Sequence, residues 1–288
     1  MTAMRDAAIS FPMFGEGLIN PPDHIAIFGF NLNFYGLIIA LGFLLAVVYA
    51  MKRCSQFGIT QDNILDVLIF ALPAGIIGAR LYYVVFNFVL YKGNWPGIFK
   101  IWEGGLAVYG GIVFGALTAA AVCKIKKIRI GALLDVVSFG FLIGQSTGRW
   151  GNFFNREAFG SETELFCRMG LTLPGEETLY VHPTFLYESL WNALGLLLLH
   201  LFSKSGGRKY DGQLFIMYVG WYGLGRVFIE GLRADSLYLF GSGIRVSQLL
   251  AGLSLLTAAG ALFINSRENH DPKNLWVNKS AGDNSAEA

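Results

Sequence analysis

The sequence predicts an all-α integral membrane protein with about seven transmembrane helices. Of its 288 residues, 54% are hydrophobic and only 15% are charged, whereas charged residues make up about 25% of an ordinary soluble domain. Crossing about 30 Å of hydrocarbon takes about 20 apolar residues. Seven segments meet that length, at approximately 32–51, 65–90, 105–123, 131–148, 184–202, 212–230 and 245–264.

The ends of the chain set the expected domain limits. The region before the first span contains prolines and acidic residues but no signal-peptide cleavage pattern, so the first helix is expected to insert uncleaved. We predict one transmembrane domain over residues 1–264, with an irregular region at 149–182 between spans four and five. The polar residues 265–288 have too few apolar side chains to fold and are predicted to form a disordered tail.

The lysines and arginines of the loops predict the orientation, because cationic loops tend to remain in the cytosol. Alternate loops are unequal, and one set carries Lys52, Arg53, Lys124, Lys126, Lys127, Arg129, Lys204, Arg208, Lys209, Arg267, Lys273 and Lys279. With seven spans, this pattern puts the N-terminus outside, the C-terminal tail in the cytoplasm and the region 149–182 on the outer side.

Charge and cysteine content exclude several classes of protein. The net charge is +2 and the basic residues are divided among loops, so we expect no nucleic-acid partner. The three cysteines form neither a disulfide framework nor a metal-ligand cluster. We therefore expect no metal and no cofactor.

Arginines within the predicted spans are the first candidates for function. Arg80, Arg149 and Arg226 lie inside or at the end of apolar runs. An arginine near the centre of a membrane helix costs at least about 2.5–3.5 kcal/mol, so such residues usually face a partner or a wet cavity. The alternative is structural: Arg226 could pair with Glu230 to hold helices together, or an arginine near a span end could extend to the headgroups.

Span six carries a polar stripe made of Tyr222, Arg226, Glu230 and Arg233. Their spacings of four, four and three keep them on one helix face. Glu230 is therefore expected to pair with Arg226 and Arg233. Guanidinium groups stay charged and bind phosphate through paired hydrogen bonds, so this stripe is suited to a phospholipid headgroup.

The segment "GRWGNFFNREAFG" (148–160) places more hydrogen-bonding groups at the end of span four. Asn152 and Asn155 can donate and accept, Glu157 can serve as a base or as an arginine partner, and Gly160 leaves room for a ligand. With Arg149, these residues predict a headgroup site. The same residues could instead form a hydrogen-bonded turn without a ligand.

Two further motifs lie at the ends of spans. In "HPTFLYE" (182–188), Pro183 suits the first turn of a helix. His182 is then placed to cap that helix, which we favour over a role as a catalytic base. In "WEGGLAVYGG" (102–111), the paired glycines indicate close packing or ligand access, and Tyr109 is expected near the outer surface.

Together, "GRWGNFFNREAFG", "HPTFLYE", "WEGGLAVYGG" and "GLGRVFIEGLR" resemble the motifs of prolipoprotein diacylglyceryl transferases. The resemblance runs from "NFYG" at 33–36 to "SQLL" at 247–250. It implies a multi-pass enzyme of the bacterial cytoplasmic membrane whose active site faces the outer side. Members transfer the diacylglyceryl group of phosphatidylglycerol to the lipobox cysteine of a preprolipoprotein. The products are a thioether and glycerol phosphate, in the first step of lipoprotein maturation.

The resemblance also implies roles for individual residues. Arg149 would contact the lipid phosphate and Arg226 would be the second essential arginine. Further signature positions of the family match Asn152, Glu157 and Gly160. Polar positions around the lipid site match Tyr35, Tyr222, Glu230 and Arg233. We add Asn155 and His182 to the candidate substrate-binding residues, and Tyr109 and Glu157 to the candidate catalytic ones.

Tyr109 departs from the family pattern, because several members carry a histidine there that has been considered as the base. A phenol with a pKa near 10 is a poor base at neutral pH. A substrate thiol is already partly ionised at neutral pH, and nearby guanidinium groups favour the thiolate. Arg149 and Arg226 could then stabilise both the thiolate and the departing phosphate. Tyr109 would position a hydroxyl or phosphate, and Glu157 would orient an arginine or take the proton.

A seven-helix transporter or channel for an anionic lipid or solute is the main alternative. Buried arginines also suit an anion pathway. However, the polar groups concentrate near one side of the membrane, and the sequence shows no internal repeat of the kind found in many transporters. An intramembrane protease is disfavoured, because neither paired aspartates nor a serine and histidine dyad can be placed.

Overall fold

The fold is given by a computed structural model, which describes residues 4, 6–27, 30–234, 238–239, 243 and 245–279. Within them lie seven long helices, and the prediction of a mostly helical membrane protein is confirmed. Their bounds are α1 Phe34–Arg53, α2 Gln61–Phe86, α3 Val108–Ile125, α4 Ile130–Asn155, α5 Thr184–Lys204, α6 Gln213–Leu232 and α7 Val246–Arg267.

Among the described residues, six of these helices are long and apolar enough to cross a membrane, all except α6. α6 is as long as α1 but contains Arg226 and Glu230, which lower its mean hydropathy. Residues 280–288 of the predicted tail lie outside the described residues. The described part of that tail includes the end of α7 and a short 3-10 helix, Pro272–Asn274.

The chain forms two compact units rather than one continuous set of contacts. The first contains residues 1–50 and 135–271, and the second contains residues 51–134 and 272–288. The boundaries fall near the end of α1, in the second turn of α4 and shortly after α7. Every candidate site residue except Tyr109 belongs to the first unit.

Six short strands accompany the helices, so the described chain is not purely helical. They are β1 Ala8–Phe11, β2 Gly15–Ile19, β3 His24–Ile27, β4 Phe30–Asn33, β5 Met169–Thr172 and β6 Leu179–Val181. One antiparallel sheet has the order β2-β1-β5-β6, and β3 pairs with β4 in a second. The prediction of an irregular region between spans four and five is therefore wrong for β5 and β6.

The four-stranded sheet has its own apolar core. Ile9 of β1, Leu171 of β5 and Val181 of β6 are almost fully buried, and they pack with Phe159 and Phe185. Phe159 precedes β5, and Phe185 lies in the first turn of α5. This core fixes the segment between α4 and α5 against the first turn of α5, and thereby positions both helix ends.

In the second unit, α2 and α3 pack through glycines. A side chain at Gly110 would lie 2.3 Å from the carbonyl oxygen of Gly78, so the two backbones touch. Arg80 is buried on α2 and donates to four carbonyl oxygens of the following loop, at distances of 2.6–3.0 Å. These belong to Gly97, Ile98, Gly104 and Gly105. Arg80 therefore anchors this loop through its hydrogen bonds.

Candidate active site

Glu188 lies at the centre of the site, one turn into α5, and only 3% of its side chain is exposed. One carboxylate oxygen is 2.6 Å from Nη2 of Arg149. The other is 2.9 Å from Nη1 of Arg226 and 3.7 Å from Nη1 of Arg233. We call these three arginines and Glu188 the arginine cluster. It joins α4, α5 and the end of α6.

The α6 side of the cluster follows the predicted stripe. Arg226 pairs with Glu230 one turn later, as the spacing predicts. Glu230 is buried, and its backbone carbonyl accepts from Arg245 just before α7. Tyr222 stacks on Tyr218, with ring centroids 6.2 Å apart. Because Arg226 bridges two carboxylates, its guanidinium is held by contacts on both sides.

The α4 side connects Arg149 to Glu157 through an asparagine. Nη1 of Arg149 donates to Oδ1 of Asn152 at 3.3 Å, and Nδ2 of Asn152 donates to Oε1 of Glu157 at 3.0 Å. Asn155 donates to the same Glu157 oxygen at 3.2 Å. Glu157 therefore fixes Asn152, which contacts Arg149, and it also holds Asn155.

The turn after α4 has an unusual backbone. Arg156 and Ala158 have φ values of 47° and 54°, a left-handed conformation that is uncommon for residues with a side chain. The buried Arg156 guanidinium donates to four oxygens at 2.5–3.0 Å, those of Phe154, Ala7, Asn20 and Pro21. These bonds hold the turn that carries Glu157 against the N-terminal segment.

Gly160 joins the connecting segment to α5 and α6. Its N–H donates to the carbonyl of His182 at 2.9 Å, and it forms an isolated β-bridge with Arg233. A Cβ at this position would lie 2.6 Å from Cβ of His182 and 2.8 Å from the carbonyl oxygen of Leu232. The glycine is therefore needed for close backbone packing, and the structure places it beside the cluster.

His182 does not cap α5, so that prediction is wrong. The N-cap position is Pro183, and no side chain caps the helix. Proline at the cap moves His182 one residue further out, where its Nδ1 lies 3.4 Å from the Tyr187 hydroxyl. Burial lowers the pKa of the His182 imidazole.

The remaining tyrosines occupy different places. Tyr35 at the start of α1 is 38% exposed and lies against Gly151, where a Cβ would come within 2.7 Å of its ring. Tyr109 lies in the first turn of α3, in the second unit, and 65% of it is exposed. Exposure at a helix start agrees with the expectation that Tyr109 lies near a surface.

The arginine cluster has the charge and geometry of an anion site. Arg149, Arg226 and Arg233 carry a formal charge of +3 against −2 for Glu188 and Glu230, a net +1. Guanidinium groups present parallel N–H donors that match the oxygens of a phosphate. Fixed donors of this kind stabilise negative charge that develops on a leaving group.

Comparison with known proteins agrees with this chemistry. Residues 22–264 match the family model of prolipoprotein diacylglyceryl transferase. The chain belongs to this family. Relatives named phosphatidylglycerol–prolipoprotein diacylglyceryl transferase include one from Listeria welshimeri, 41% identical over 90% of this chain and 95% of the relative. One from Lactiplantibacillus plantarum is 39% identical over 88% and 91%, and one from Finegoldia magna is 44% identical over 78% and 88%.

For a prolipoprotein diacylglyceryl transferase, the structure adds two residues that were not among the predicted site residues. Glu188 holds the cluster together, yet in the sequence it is a single acid in an apolar helix. Its signals were that it ends the motif "HPTFLYE" and that a buried acid requires a cationic partner. Arg156 lies in "GRWGNFFNREAFG", but no local spacing specifies its contacts, because three of its four acceptors lie about 135–149 residues earlier in the chain and three of the four are backbone carbonyls.

Proposed function

We propose that the chain transfers the diacylglyceryl group of phosphatidylglycerol to the lipobox cysteine thiol of preprolipoproteins, with the arginine cluster binding the lipid phosphate. The observation that carries the assignment of the site is the buried Glu188. It holds Arg149 and Arg226 at 2.6 and 2.9 Å, so the two arginines converge on one place. A phosphate accepting from their outer N–H groups would have its charge balanced without a metal.

The reaction is a displacement at carbon. The substrate sulfur attacks the carbon of the diacylglyceryl group that is esterified to the phosphate. The bond from this carbon to the phosphate oxygen breaks, and the oxygen keeps the electron pair as glycerol phosphate leaves. The thiol loses its proton, and the product is a thioether. Arg149 and Arg226 stabilise the charge that builds up on the phosphate, and their field favours the attacking thiolate.

The other candidate residues are assigned supporting roles. Both asparagines are fixed by Glu157 and offer donors to the headgroup, and Asn152 also orients Arg149. Tyr35, Tyr222, Gly160, His182, Glu230 and Arg233 border the substrates. Tyr109 positions a hydroxyl or phosphate oxygen, since a phenol is a weak base at neutral pH. Glu157 is the candidate for the proton acceptor.

The membrane arrangement supports access for both substrates. We assign seven spans, with α6 included because its polar face is directed at the cluster. Cationic residues then place the C-terminus in the cytoplasm and the cluster on the outer side of the bacterial cytoplasmic membrane. The lipid and the signal peptide both remain in the bilayer, so both reach the cluster laterally.

The direct test is product formation. Purified protein is incubated with phosphatidylglycerol and a lipobox peptide, and mass spectrometry follows the diacylglyceryl thioether while an enzymatic assay follows glycerol phosphate. Both products should form in equal amounts. Absence of both, under conditions in which a relative of demonstrated activity is active, would favour lipid or anion transport.

A conservative substitution tests the phosphate site. Arg149→Lys keeps the positive charge but loses the planar pair of donors, so kcat/KM should fall by about 100-fold. Arg168→Lys is the matched control, because Arg168 lies on the connecting segment and stacks on Tyr180 away from the cluster. Near-normal turnover of folded Arg149→Lys enzyme would contradict the clamp.

A further inference from the structure

A second polar layer lies one helical turn from the arginine cluster, toward the middle of the same helices. Gln145 precedes Arg149 by four residues on α4 and Asn192 follows Glu188 by four on α5, whereas Tyr218 precedes Arg226 by eight, or two turns, on α6. One turn corresponds to about 5.4 Å along the axis. Nε2 of Gln145 donates to the Tyr218 hydroxyl at 2.8 Å, which joins α4 to α6 at this level.

Two carbonyl oxygens in this layer accept no hydrogen bond. Within the described part of the chain, neither Oε1 of Gln145 nor Oδ1 of Asn192 has a donor in range, although both atoms are buried. Asn192 is 3% exposed, and its Nδ2 donates to the Glu188 backbone carbonyl at 2.9 Å. Buried polar atoms are nearly always hydrogen-bonded, and an unsatisfied acceptor destabilises the fold.

The surroundings of these oxygens select the kind of donor. The neighbouring polar side chains on α4 and α5 are neutral: Ser146 and Ser189 bond to each other's backbone and hydroxyl groups at 2.9–3.3 Å. The two unpaired acceptors are themselves neutral amide oxygens, and the Glu188 carboxylate one turn away is already paired with arginines, so an uncharged N–H or O–H group suits them. The bilayer interior offers no water, so a donor that reaches this depth needs such an acceptor.

We infer that Asn192 and Gln145 form a subsite that accepts hydrogen bonds from backbone N–H groups of the preprolipoprotein signal peptide beside its lipobox cysteine. This inference rests on the proposed function, in which the arginine cluster holds the lipid phosphate. On the acyl side of that phosphate, phosphatidylglycerol has ester carbonyls, which only accept, and its hydroxyls lie on the opposite side. Of the two substrates, only the peptide therefore offers a donor at the deeper layer.

The substitution Asn192→Leu tests the subsite, because leucine has a similar volume and removes the amide oxygen. The Glu188 carbonyl that Asn192 contacts is in the helix interior and retains its main-chain bond. We expect kcat/KM for the peptide to fall by about three- to tenfold, the range of one neutral hydrogen bond. The KM for phosphatidylglycerol should not rise, and the thermal unfolding midpoint should not fall. Asn265→Leu is the matched control, because Asn265 makes the same contact to Ala261 at 2.8 Å on α7.

An ester-containing peptide identifies the donor. Replacing the amide at the lipobox cysteine, and in a second peptide the amide before it, removes one N–H each. With the unsubstituted enzyme, one of the two ester peptides should have a kcat/KM about three- to tenfold lower than that of the amide peptide. With Asn192→Leu, the same ester should have little further effect, because the ester and the leucine remove the same hydrogen bond.

Three outcomes would overturn the inference. If Asn192→Leu lowers the unfolding midpoint and affects both substrates equally, Asn192 only supports the fold. If its effect falls on phosphatidylglycerol alone, the donor is the headgroup. If its effect is the same with both ester peptides and with the amide peptide, no N–H is recognised at these positions. Inactivity of the unsubstituted enzyme with the amide peptide would instead count against the proposed function.

Discussion

At the scale of single residues, Glu188 explains why several buried arginines are tolerated close together. Each guanidinium taken from water carries a desolvation cost, and three of them repel one another. One buried carboxylate with contacts at 2.6, 2.9 and 3.7 Å offsets both effects. The stability of the cluster and its readiness for an anion therefore depend on the same side chain.

Glu188→Gln should separate charge from shape at this position. The amide fits the same space but leaves the arginines without their shared counter-ion, so the free energy of unfolding should fall by about 3 kcal/mol. The kcat/KM should fall as well, because Arg149 and Arg226 lose their common orientation. Thermal unfolding in detergent and the product assay measure the two effects. Glu176→Gln, at an exposed site of the same connecting segment, should change neither. Unchanged stability of Glu188→Gln would mean that the arginines are held by other contacts.

At the scale of elements, the N-terminal segment stabilises the turn after α4. β1 pairs with β5, and the Arg156 guanidinium bonds to Ala7, Asn20 and Pro21. The turn has left-handed backbone at Arg156 and Ala158, which persists only where the surroundings hold it. Residues far apart in the chain thus fix the position of Glu157.

Substitutions at Arg156 can test this fixation. In Arg156→Gly, the glycine can adopt a φ of 47° without strain, but the guanidinium is lost. Because its hydrogen bonds to the N-terminal segment are lost, the unfolding midpoint should be lower and proteolysis of that segment faster. A loss of about 2 kcal/mol is expected for a buried, charge-assisted set of hydrogen bonds. Arg168→Gly, on the surface of the connecting segment, is the control. If Arg156→Gly were more stable than the original, relief of backbone strain would outweigh the clamp.

His182 gives the start of α5 a pH dependence. Burial lowers the pKa of its imidazole, so near the ordinary value of about 6.5 the unfolded chain binds more protons than the folded protein. Stability should therefore fall as the pH decreases below about 6.5, until the lowered pKa is reached. The unfolding midpoint at pH 7.5 and 5.5 measures this, and His182→Gln should reduce the difference between the two values. An unchanged difference in His182→Gln would mean that other groups carry the pH dependence.

At the scale of the whole molecule, structure that depends on neighbouring residues could be predicted from the sequence, whereas pairings between distant segments could not. Apolar runs located all seven helices, and the spacing of Arg226 and Glu230 gave their ion pair. The pairing of β1 with β5 joins positions about 160 residues apart, and neither strand is long enough to show a clear alternation. Glu188 could be recognised as costly in an apolar helix, but its partners lie on two other helices and no local spacing specifies them.

The orientation of the helices remains a prediction of loop charge, and it can be tested in intact cells. Single cysteines are placed at exposed Glu176, between α4 and α5, and at exposed Ser205, between α5 and α6. A Cys167→Ser background removes the partly exposed native thiol, and the buried Cys54 and Cys123 should not react. A membrane-impermeant maleimide should label Glu176→Cys at once and Ser205→Cys only after the cells are opened, because cationic loops stay in the cytosol. The reverse pattern would place the arginine cluster on the cytoplasmic side. Equal labelling of both positions in sealed cells would mean that α5 does not cross the membrane.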